Sequence, residues 1–276
     1  MCQYCGCATT AEAIEIRDHK GTVATRPADL HSIEVLTGLL VENDSLAAHV
    51  RQHLDDHGVL AVNLMSSPGS GKTSLLEATI DAMKDNYRIA VIEGDLETEN
   101  DADRIRARGV PAIQITTGQT CHLDARMVHD ALHALDLGGI DVLFIENVGN
   151  LVCPASFDLG QHANVVLLSV TEGDDKPAKY PVMFRGADLV LMTKTDLLPV
   201  LDDFDPLKAE RHIRNLANAA DVQLVSARRP ETLGPWLGWI DRELATRRSV
   251  QASKASDRHP QHHHAAHHYE PREQGT

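Results

Sequence analysis

The sequence predicts a doubly wound α/β fold, in which helices cover both faces of a mostly parallel sheet. From Val59 onward the chain contains short apolar runs rich in β-branched residues: VLAVNLM, RIAVIEG, AIQIT, DVLFIEN, NVVLLSV, DLVLMTK and VQLVSA. Runs that are apolar throughout are typical of strands buried on both faces. Because helical stretches separate these runs, we expect the strands to lie parallel to one another.

The composition is that of a chain with one large folded domain. Of its 276 residues, 42% are hydrophobic and 24% are charged, which suffices for one sizeable core. The formal net charge of −14 disfavours a nucleic-acid partner, because phosphate backbones repel a negative chain. No apolar run approaches the roughly 20 residues of a membrane span, and no secretory leader is recognisable. We therefore expect a cytoplasmic protein with no membrane partner.

Three further segments flank the predicted α/β domain, which we place at residues 59–247. Residues 1–30 form a polar leader that begins with cysteines. Residues 31–58 carry apolar side chains at helical spacing and predict a helical lead-in, with a break and a new N-cap at Asn43–Ser45. Residues 248–276 have almost no large aliphatic side chains and are rich in histidine, so we expect a disordered His-rich tail.

A phosphate-binding loop follows the first apolar run. In SSPGSGKT the glycines let backbone amides approach phosphates, Lys72 can reach the outer phosphates, and the Thr73 hydroxyl can bind Mg²⁺. Ser66 stands where the pattern G-x-x-x-x-G-K-S/T has its first glycine. A chance glycine turn is the alternative. The residues expected to contact nucleotide here are Pro68, Gly69, Ser70, Gly71, Lys72, Thr73 and Ser74.

Two acidic residues at strand ends are candidate magnesium ligands. Asp95 ends the run VIEGD and Glu146 ends VLFIE. Because open α/β sheets bind ligands at the carboxyl ends of their strands, both carboxylates should face Lys72 and Thr73. A solvated carboxylate is the alternative for each. These four residues are the predicted catalytic group, and Thr73, Asp95 and Glu146 are the predicted Mg²⁺ ligands.

A later strand end favours guanine as the base. In TKTD, Asp196 follows Thr193 by three residues, and its carboxylate can accept from both the ring N–H and the exocyclic amine of guanine. Lys194 can lay its aliphatic stem along the base or the phosphate loop. Ser226 and Ala227 offer a backbone N–H for the guanine carbonyl. An ordinary strand-to-loop turn is the alternative, but after a phosphate loop this order of motifs indicates a P-loop GTPase that binds GTP and GDP.

Cysteines inside this core suggest a second kind of metal. Cys121 and His122 are adjacent after the run AIQIT, and Cys153 follows Glu146 by seven residues. Thiolates with an imidazole suit Zn²⁺ or Ni²⁺. Three ligands are too few for a closed tetrahedral site, so a symmetric partner subunit could complete it. A small buried cysteine is the alternative reading for each thiol.

Together these motifs resemble the HypB family, the GTPases that deliver nickel during maturation of nickel–iron hydrogenase. The resemblance runs through MCQYCGC, SSPGSGKT, EGDLETENDADRI, GQTCHLD, IENVGNLVCPASFDLG, TEGDDKP and TKTDLLP. It implies a homodimer that assembles with GTP, and slow GTP hydrolysis. It also implies a HypA-type zinc protein and the hydrogenase large-subunit precursor as partners. The implied metal sites are a nickel site at Cys2, Cys5 and Cys7, and a nickel or zinc site at the dimer interface formed by Cys121, His122 and Cys153.

Two features depart from common GTPase or family patterns. The His-rich stretch is C-terminal, whereas family members usually carry it before the GTPase core. We interpret it as a metal buffer, with an inert tail or a tag as alternatives. Asn150 stands where a glutamine would follow ENVG, and no arginine finger is identifiable, so we expect slow intrinsic turnover. A nickel-storage protein with a regulatory GTPase core, or a urease-type nickel GTPase, is the alternative function.

Overall fold

The computed structural model of the chain describes residues 14–17, 23–26, 30–96, 100–118 and 120–257, with side chains described from residue 38 to residue 251 within these ranges. The predicted nickel ligands Cys2, Cys5 and Cys7 lie outside the described residues. So do all the histidines of the predicted tail, which come after residue 257.

The leader contains a short antiparallel pair that was not predicted. Strand β1 (Ile14–Arg17) pairs with β2 (Val23–Arg26), with Ile14 opposite Arg26. The sequence IEIR alternates apolar and polar residues, which is the period of a strand. Because this alternation spans only four residues within a polar segment, it was too short to predict a strand.

All seven predicted strands are present and form one parallel sheet. They are β3 (Leu60–Ser66), β4 (Ile89–Asp95), β5 (Ala112–Thr116), β6 (Val142–Glu146), β7 (Ala163–Ser169), β8 (Leu189–Thr193) and β9 (Asp221–Leu224). Their order across the sheet is β5-β4-β6-β3-β7-β8-β9, and every neighbouring pair is parallel. The carboxyl ends of β3, β4, β6 and β8 therefore meet at one edge of the sheet.

Helices cover both faces of the sheet. They are α1 (Leu30–His57), α2 (Lys72–Met83), α3 (Asn100–Arg106), α4 (Ala125–Leu132), α5 (Lys176–Lys179), α6 (Pro181–Arg185), α7 (Pro206–Asn215) and α8 (Gly234–Asp257). Alternate residues of β3 enter different cores, since Leu60 and Val62 pack with Trp236 of α8 whereas Ala61 packs with Leu54 of α1. The doubly wound class is thus confirmed. Among the described residues, no helix is long and apolar enough to cross a membrane.

The predicted break in the helical lead-in is wrong, because α1 runs without interruption through Asn43–Ser45. Asn43 is buried, and its side chain is used in tertiary contacts instead of a cap. Its Nδ2 donates to the Asp158 carbonyl at 2.8 Å, and its Oδ1 accepts from the Ala125 amide at 2.9 Å. These bonds join α1 to the loop at Asp158 and to the start of α4.

The last helix passes the boundary that we expected at residue 247, since α8 continues to Asp257. Two side chains near the end of α8 bond to Asp55 of α1. Arg247 donates to the carboxylate of Asp55, and Gln251 Nε2 donates to the Asp55 carbonyl at 2.5 Å. Composition does not reveal such contacts, which explains why the sequence placed the boundary too early.

Candidate functional site

The phosphate loop joins β3 to α2 and takes the conformation that its glycines permit. Gly69 and Gly71 have φ of +74° and +96°, a region that side-chain-bearing residues rarely adopt. Ser66, in place of the usual first glycine, is fully buried and accepts from Lys72 Nζ at 3.1 Å and from the Ser70 hydroxyl. Ser66 therefore connects Lys72 to the loop on the buried side.

The strand end that carries the base motif is bonded to this loop. The Thr193 hydroxyl donates to the Ser70 carbonyl at 2.7 Å, and Lys194 Nζ donates to the Gly69 carbonyl at 2.6 Å. Lys194 has a φ of +58°, and its Cε lies 3.7 Å from where a Cβ on Gly71 would be. Its stem therefore crosses the phosphate loop, next to the predicted base pocket.

The predicted base residues line one pocket of about 250 Å³. Asp196 accepts from the Ser226 hydroxyl at 2.6 Å, which fixes the orientation of its carboxylate. The Ser226 amide already donates to Thr232 Oγ1 at 2.9 Å. Of the two predicted backbone donors, the Ala227 amide is therefore the better placed for a base carbonyl. Thr232, which sequence reasoning missed, comes six residues after Ser226 with no motif to mark it.

Beside the loop, a cleft of about 470 Å³ contains the predicted catalytic residues. Thr73 Oγ1 donates to Glu146 Oε1 at 2.9 Å, and both side chains are buried. Asp95 lines the same cleft and accepts from the Leu96 amide at 2.6 Å. In this cleft, the carboxylate oxygens that lie within 4.8 Å of one another belong to Glu146, which was predicted, and to Glu93 and Asp101, which were not.

These three acidic residues fit a magnesium ion. Burial is the largest cause that raises the pKa values of both Glu93 and Glu146, and repulsion by Glu146 raises that of Glu93 further. One buried oxygen of each glutamate, Oε2, has no partner among the described residues. Buried carboxylates without partners are costly, and Mg²⁺ prefers oxygen ligands. The donor set therefore matches a hard divalent cation bound next to Thr73.

Three residues of the cleft were missed from the sequence: Glu93, Asp101 and Arg104. Glu93 lies in an otherwise apolar strand, and a carboxylate in a strand buried on both faces was a usable signal. Arg104 donates to Asp101 Oδ1 at 2.7 Å, to Glu77 Oε2 at 2.6 Å and to Ser74 Oγ at 3.3 Å. It brings a guanidinium to the cleft, although no motif marks it.

A second, chemically different cluster lies near the cleft. Cys121 Sγ and Cys153 Sγ are 3.2 Å apart, too far for a disulfide bond. Together with His122 they form a group whose ligand atoms lie within 4.8 Å of one another. The structure therefore brings together the three core residues that the sequence singled out as metal ligands.

His122 is held as a neutral ring in this cluster. Its imidazole is 3% exposed and stacks on Phe157, with ring centroids 4.0 Å apart. Burial lowers its pKa, and the carboxylate of Asp124 opposes that shift only in part. Its Nδ1 is buried without a partner among the described residues. A neutral imidazole is the form that binds metals.

The segment after β6 joins the cleft to the cysteine cluster. Asn147 is buried directly after Glu146, and its Oδ1 accepts from the Leu123 amide at 3.2 Å. Asn150 Nδ2 donates to the Cys121 carbonyl at 3.3 Å. On its other side the segment touches the phosphate loop, since a Cβ on Gly149 would lie 2.8 Å from Pro68 Cα. Residues 147–150 thus contact both sites.

Comparison with known proteins gives a consistent result. Residues 60–223 match the family described as CobW/HypB/UreG, nucleotide-binding domain. The chain is 54% identical over 209 residues to the hydrogenase maturation factor HypB of Azotobacter vinelandii, covering 76% of this chain and 69% of the relative. It is 50% identical over 221 residues to HypB of Escherichia coli, covering 80% and 76% respectively.

A solved structure shows the same fold. HypB from Helicobacter pylori, crystallised in complex with nickel, superposes with a TM-score of 0.71 at 44% identity, covering 74% of this chain and 96% of that one. The identities and coverage exceed what a shared fold alone would give. The chain therefore belongs to the HypB family of hydrogenase maturation factors, within the wider CobW/HypB/UreG family.

Proposed function

We propose that this protein is a GTP-hydrolysing nickel metallochaperone that delivers Ni²⁺ to the hydrogenase large-subunit precursor. The observation that carries the proposal is the position of residues 147–150, which contact both the phosphate loop and the segment of Cys121 and His122. Family membership and the nickel of the Helicobacter pylori structure support nickel as the cargo.

The nucleotide binds across the two pockets. Asp196, oriented by Ser226, accepts from the ring N–H and the exocyclic amine of guanine. Backbone amides of the phosphate loop and Lys72 bind the phosphates. A water molecule then cleaves the terminal phosphoanhydride, which gives GDP and inorganic phosphate. Arg104, which lines the cleft, would supply a guanidinium beside the phosphates.

Magnesium is the cation proposed for the acidic cluster. Thr73 and Glu146 would hold it, with Glu93, Asp101 and Asp95 as the further carboxylates of the cleft. When bound, it neutralises charge on the phosphate oxygens.

Hydrolysis is proposed to be slow because Asn150 is already engaged. Its side chain donates to the Cys121 carbonyl and accepts from the Val152 amide at 2.9 Å. A side chain used in this way holds the loop and does not position the attacking water, which is the role of glutamine in faster GTPases.

The cargo ion binds Cys121, His122 and Cys153 after the thiols lose their protons. Among the described residues, the cluster contains three thiol or imidazole ligands. A second copy of the chain is therefore proposed to complete the site, so that the working form is a homodimer. Zn²⁺ suits the same ligands and would compete. The N-terminal Cys2, Cys5 and Cys7 and a HypA-type protein are the proposed further carriers of nickel.

Nucleotide state is proposed to change nickel affinity through residues 147–153. Contact of the terminal phosphate near Gly149 would shift this segment and move Cys153 relative to Cys121. Any such coupling is reciprocal, so nickel must alter nucleotide affinity by the same factor.

The test is a nickel titration of the full chain with GDP and with a non-hydrolysable GTP analogue, with light scattering to follow the dimer. We expect the two nickel dissociation constants to differ by on the order of tenfold. Equal constants in the two nucleotide states would overturn the coupling. As a control for the storage alternative, deleting residues 258–276 should leave this ratio unchanged, even if the total nickel bound per chain falls.

A further inference from the structure

Five histidines lie together on the surface where α1 and α4 pack side by side. Three are on α1 at intervals of four residues, one is on α4, and one directly follows α4 as its C-cap: His49, His53, His57, His129 and His133. Residues four apart on a helix lie on the same face. We call these residues the helical histidine cluster.

The rings of this cluster meet within and between the two helices. Ring centroids are 5.6 Å apart for His49 and His129, 4.7 Å for His53 and His57, and 4.8 Å for His129 and His133. The pKa of His53 is lowered, first by burial and then by each of the other four histidines. His53 is therefore within electrostatic range of the other four histidines.

These spacings are wider than a shared metal ion requires, so the rings must rotate to bind one. A metal ion bound to imidazole nitrogens at about 2.0–2.1 Å keeps two such nitrogens roughly 3 Å apart. Rings whose centroids are about 5 Å apart reach this separation by side-chain rotation. Rotation is open to them, because His49, His57 and His133 are exposed and the other two are half-buried.

Two of the rings are already oriented as ligands. His57 Nδ1 lies 2.9 Å from the carbonyl oxygen of His53, and His129 Nδ1 lies 3.3 Å from the carboxylate of Asp130. A ring nitrogen next to an oxygen acceptor carries the proton, which leaves Nε2 with its lone pair for a metal. The carboxylate beside His129 also makes that ring a better donor.

Packing of the helices does not explain the histidines. The inner faces of α1 and α4 are filled by apolar residues, among them Val50, Leu54, Val128 and Leu132. Asn43 fixes the start of α4 through its bond to the Ala125 amide. Imidazoles gathered in one place also repel one another when protonated. The cluster therefore has an electrostatic cost when its rings are protonated, and the apolar residues of the inner faces already hold the two helices together.

We propose that the helical histidine cluster is a further metal site, which binds a borderline divalent transition-metal ion such as Ni²⁺ on neutral imidazoles. It is separate from the group of Cys121, His122 and Cys153. It is also near that group: His129 lies four residues into α4, about 6 Å along the axis from Ala125, and His122 precedes that helix by three residues.

The test follows individual histidines in the full chain, so that the histidines of the tail do not confuse it. Without nucleotide, Ni²⁺ is added at one to two equivalents, and histidines are acylated with diethyl pyrocarbonate and quantified by mass spectrometry. We expect Ni²⁺ to slow modification of all five histidines of the cluster at least about fivefold. His212, on α7, is the internal control and should react at an unchanged rate.

A triple variant, H49Q/H53Q/H129Q, should bind about one equivalent of Ni²⁺ fewer than the parent chain and lose the protection of His57 and His133. H212Q should keep both. Thermal unfolding of the triple variant in EDTA checks that it folds. The variant C121S should retain protection of the cluster, which separates this site from the proposed nickel cargo site. Unprotected cluster histidines, or an unchanged stoichiometry in the folded triple variant, would overturn the proposal.

Discussion

The nucleotide cleft and the cysteine cluster are neighbours with opposite chemistry. The cleft gathers carboxylates whose pKa values burial raises, Glu93 and Glu146. The cysteine cluster gathers two thiols and His122, whose pKa burial lowers. Hard cations select the first set and borderline ions the second. One protein can therefore keep two metal ions apart by ligand type alone, although residues 147–150 contact both sites.

The largest effect is expected from a substitution that disrupts the nucleotide cleft and leaves the cysteine cluster intact. Replacing Lys72 with alanine removes the ammonium that sits beneath the loop on Ser66 and should lower the rate of GTP hydrolysis by about 10²- to 10³-fold. Nickel binding in the absence of nucleotide should not change. The matched control is K84A, which removes an exposed lysine just after α2. A K72A rate within threefold of the parent would contradict the assigned role.

The converse change breaks the cysteine cluster. C121S replaces a soft thiolate with a hydroxyl that binds Ni²⁺ poorly, and nickel affinity in the GTP-analogue state should fall by on the order of 100-fold. GTP affinity measured in EDTA should stay within about twofold. S156A, at an exposed serine of the turn that begins with Cys153, controls for local disturbance. Equal losses in both variants would argue against a role for the thiol.

A smaller change addresses the connection between the two sites. N147A removes the oxygen that accepts from the Leu123 amide and should shrink the nickel affinity ratio between GDP and the GTP analogue from about tenfold toward one. The lost buried hydrogen bonds should also cost about 1–3 kcal/mol of stability.

N63A is the control for this change, because Asn63 bonds to Asn147 and Asn164 but not to Leu123. It should destabilise the protein by a similar amount and leave the affinity ratio near that of the parent. If N63A and N147A change the ratio equally, general destabilisation explains the effect and the specific contact does not.

The smallest effect concerns pH. Folded-state pKa values raised above the ordinary glutamate value of 4.5 mean that the native state binds protons more tightly than the unfolded chain. Without Mg²⁺, the free energy of unfolding should therefore fall as pH rises above about 4.5, by at most about 1.4 kcal/mol per pH unit for one carboxyl. Urea titrations from pH 5 to 8 measure this slope.

Two changes, the substitution E93Q and the addition of Mg²⁺, should reduce this dependence of the unfolding free energy on pH. E93Q removes one of the titrating groups, and Mg²⁺ stabilises the ionised carboxylates. D203N, at an exposed acid outside the cleft, should leave the slope unchanged. A slope that is the same in E93Q as in the parent would show that Glu93 is not the buried group responsible.

What the sequence could predict follows from the range of each interaction. The seven strands of the parallel sheet and the phosphate loop depend on residues adjacent in the chain, and both were predicted. Glu93, Asp101 and Glu146 come together from three different elements. Of these, only Glu146 was predicted, because it lies at the end of a strand. The uninterrupted α1 depends on Asn43 reaching Asp158, more than a hundred residues away. Spacing along the sequence carries no information about such contacts.

The helical histidine cluster also depends on tertiary contacts that the sequence does not reveal. Each of its histidines was visible in the sequence, and the interval of four residues within α1 was also visible. The pairing of His49 with His129 was not, because it depends on how α1 packs against α4. The tail drew attention for its composition, whereas the cluster arises from tertiary packing.

The bonds between the base motif and the phosphate loop have a consequence for fidelity. Thr193 and Lys194 bond to the carbonyls of Ser70 and Gly69, two residues of the loop whose amides are proposed to bind the phosphates. An incorrect base that displaces this strand end would also displace those amides. We therefore expect discrimination against adenine to act on the rate of phosphate cleavage as well as on binding, so that a mismatched nucleotide is retained briefly and is seldom hydrolysed.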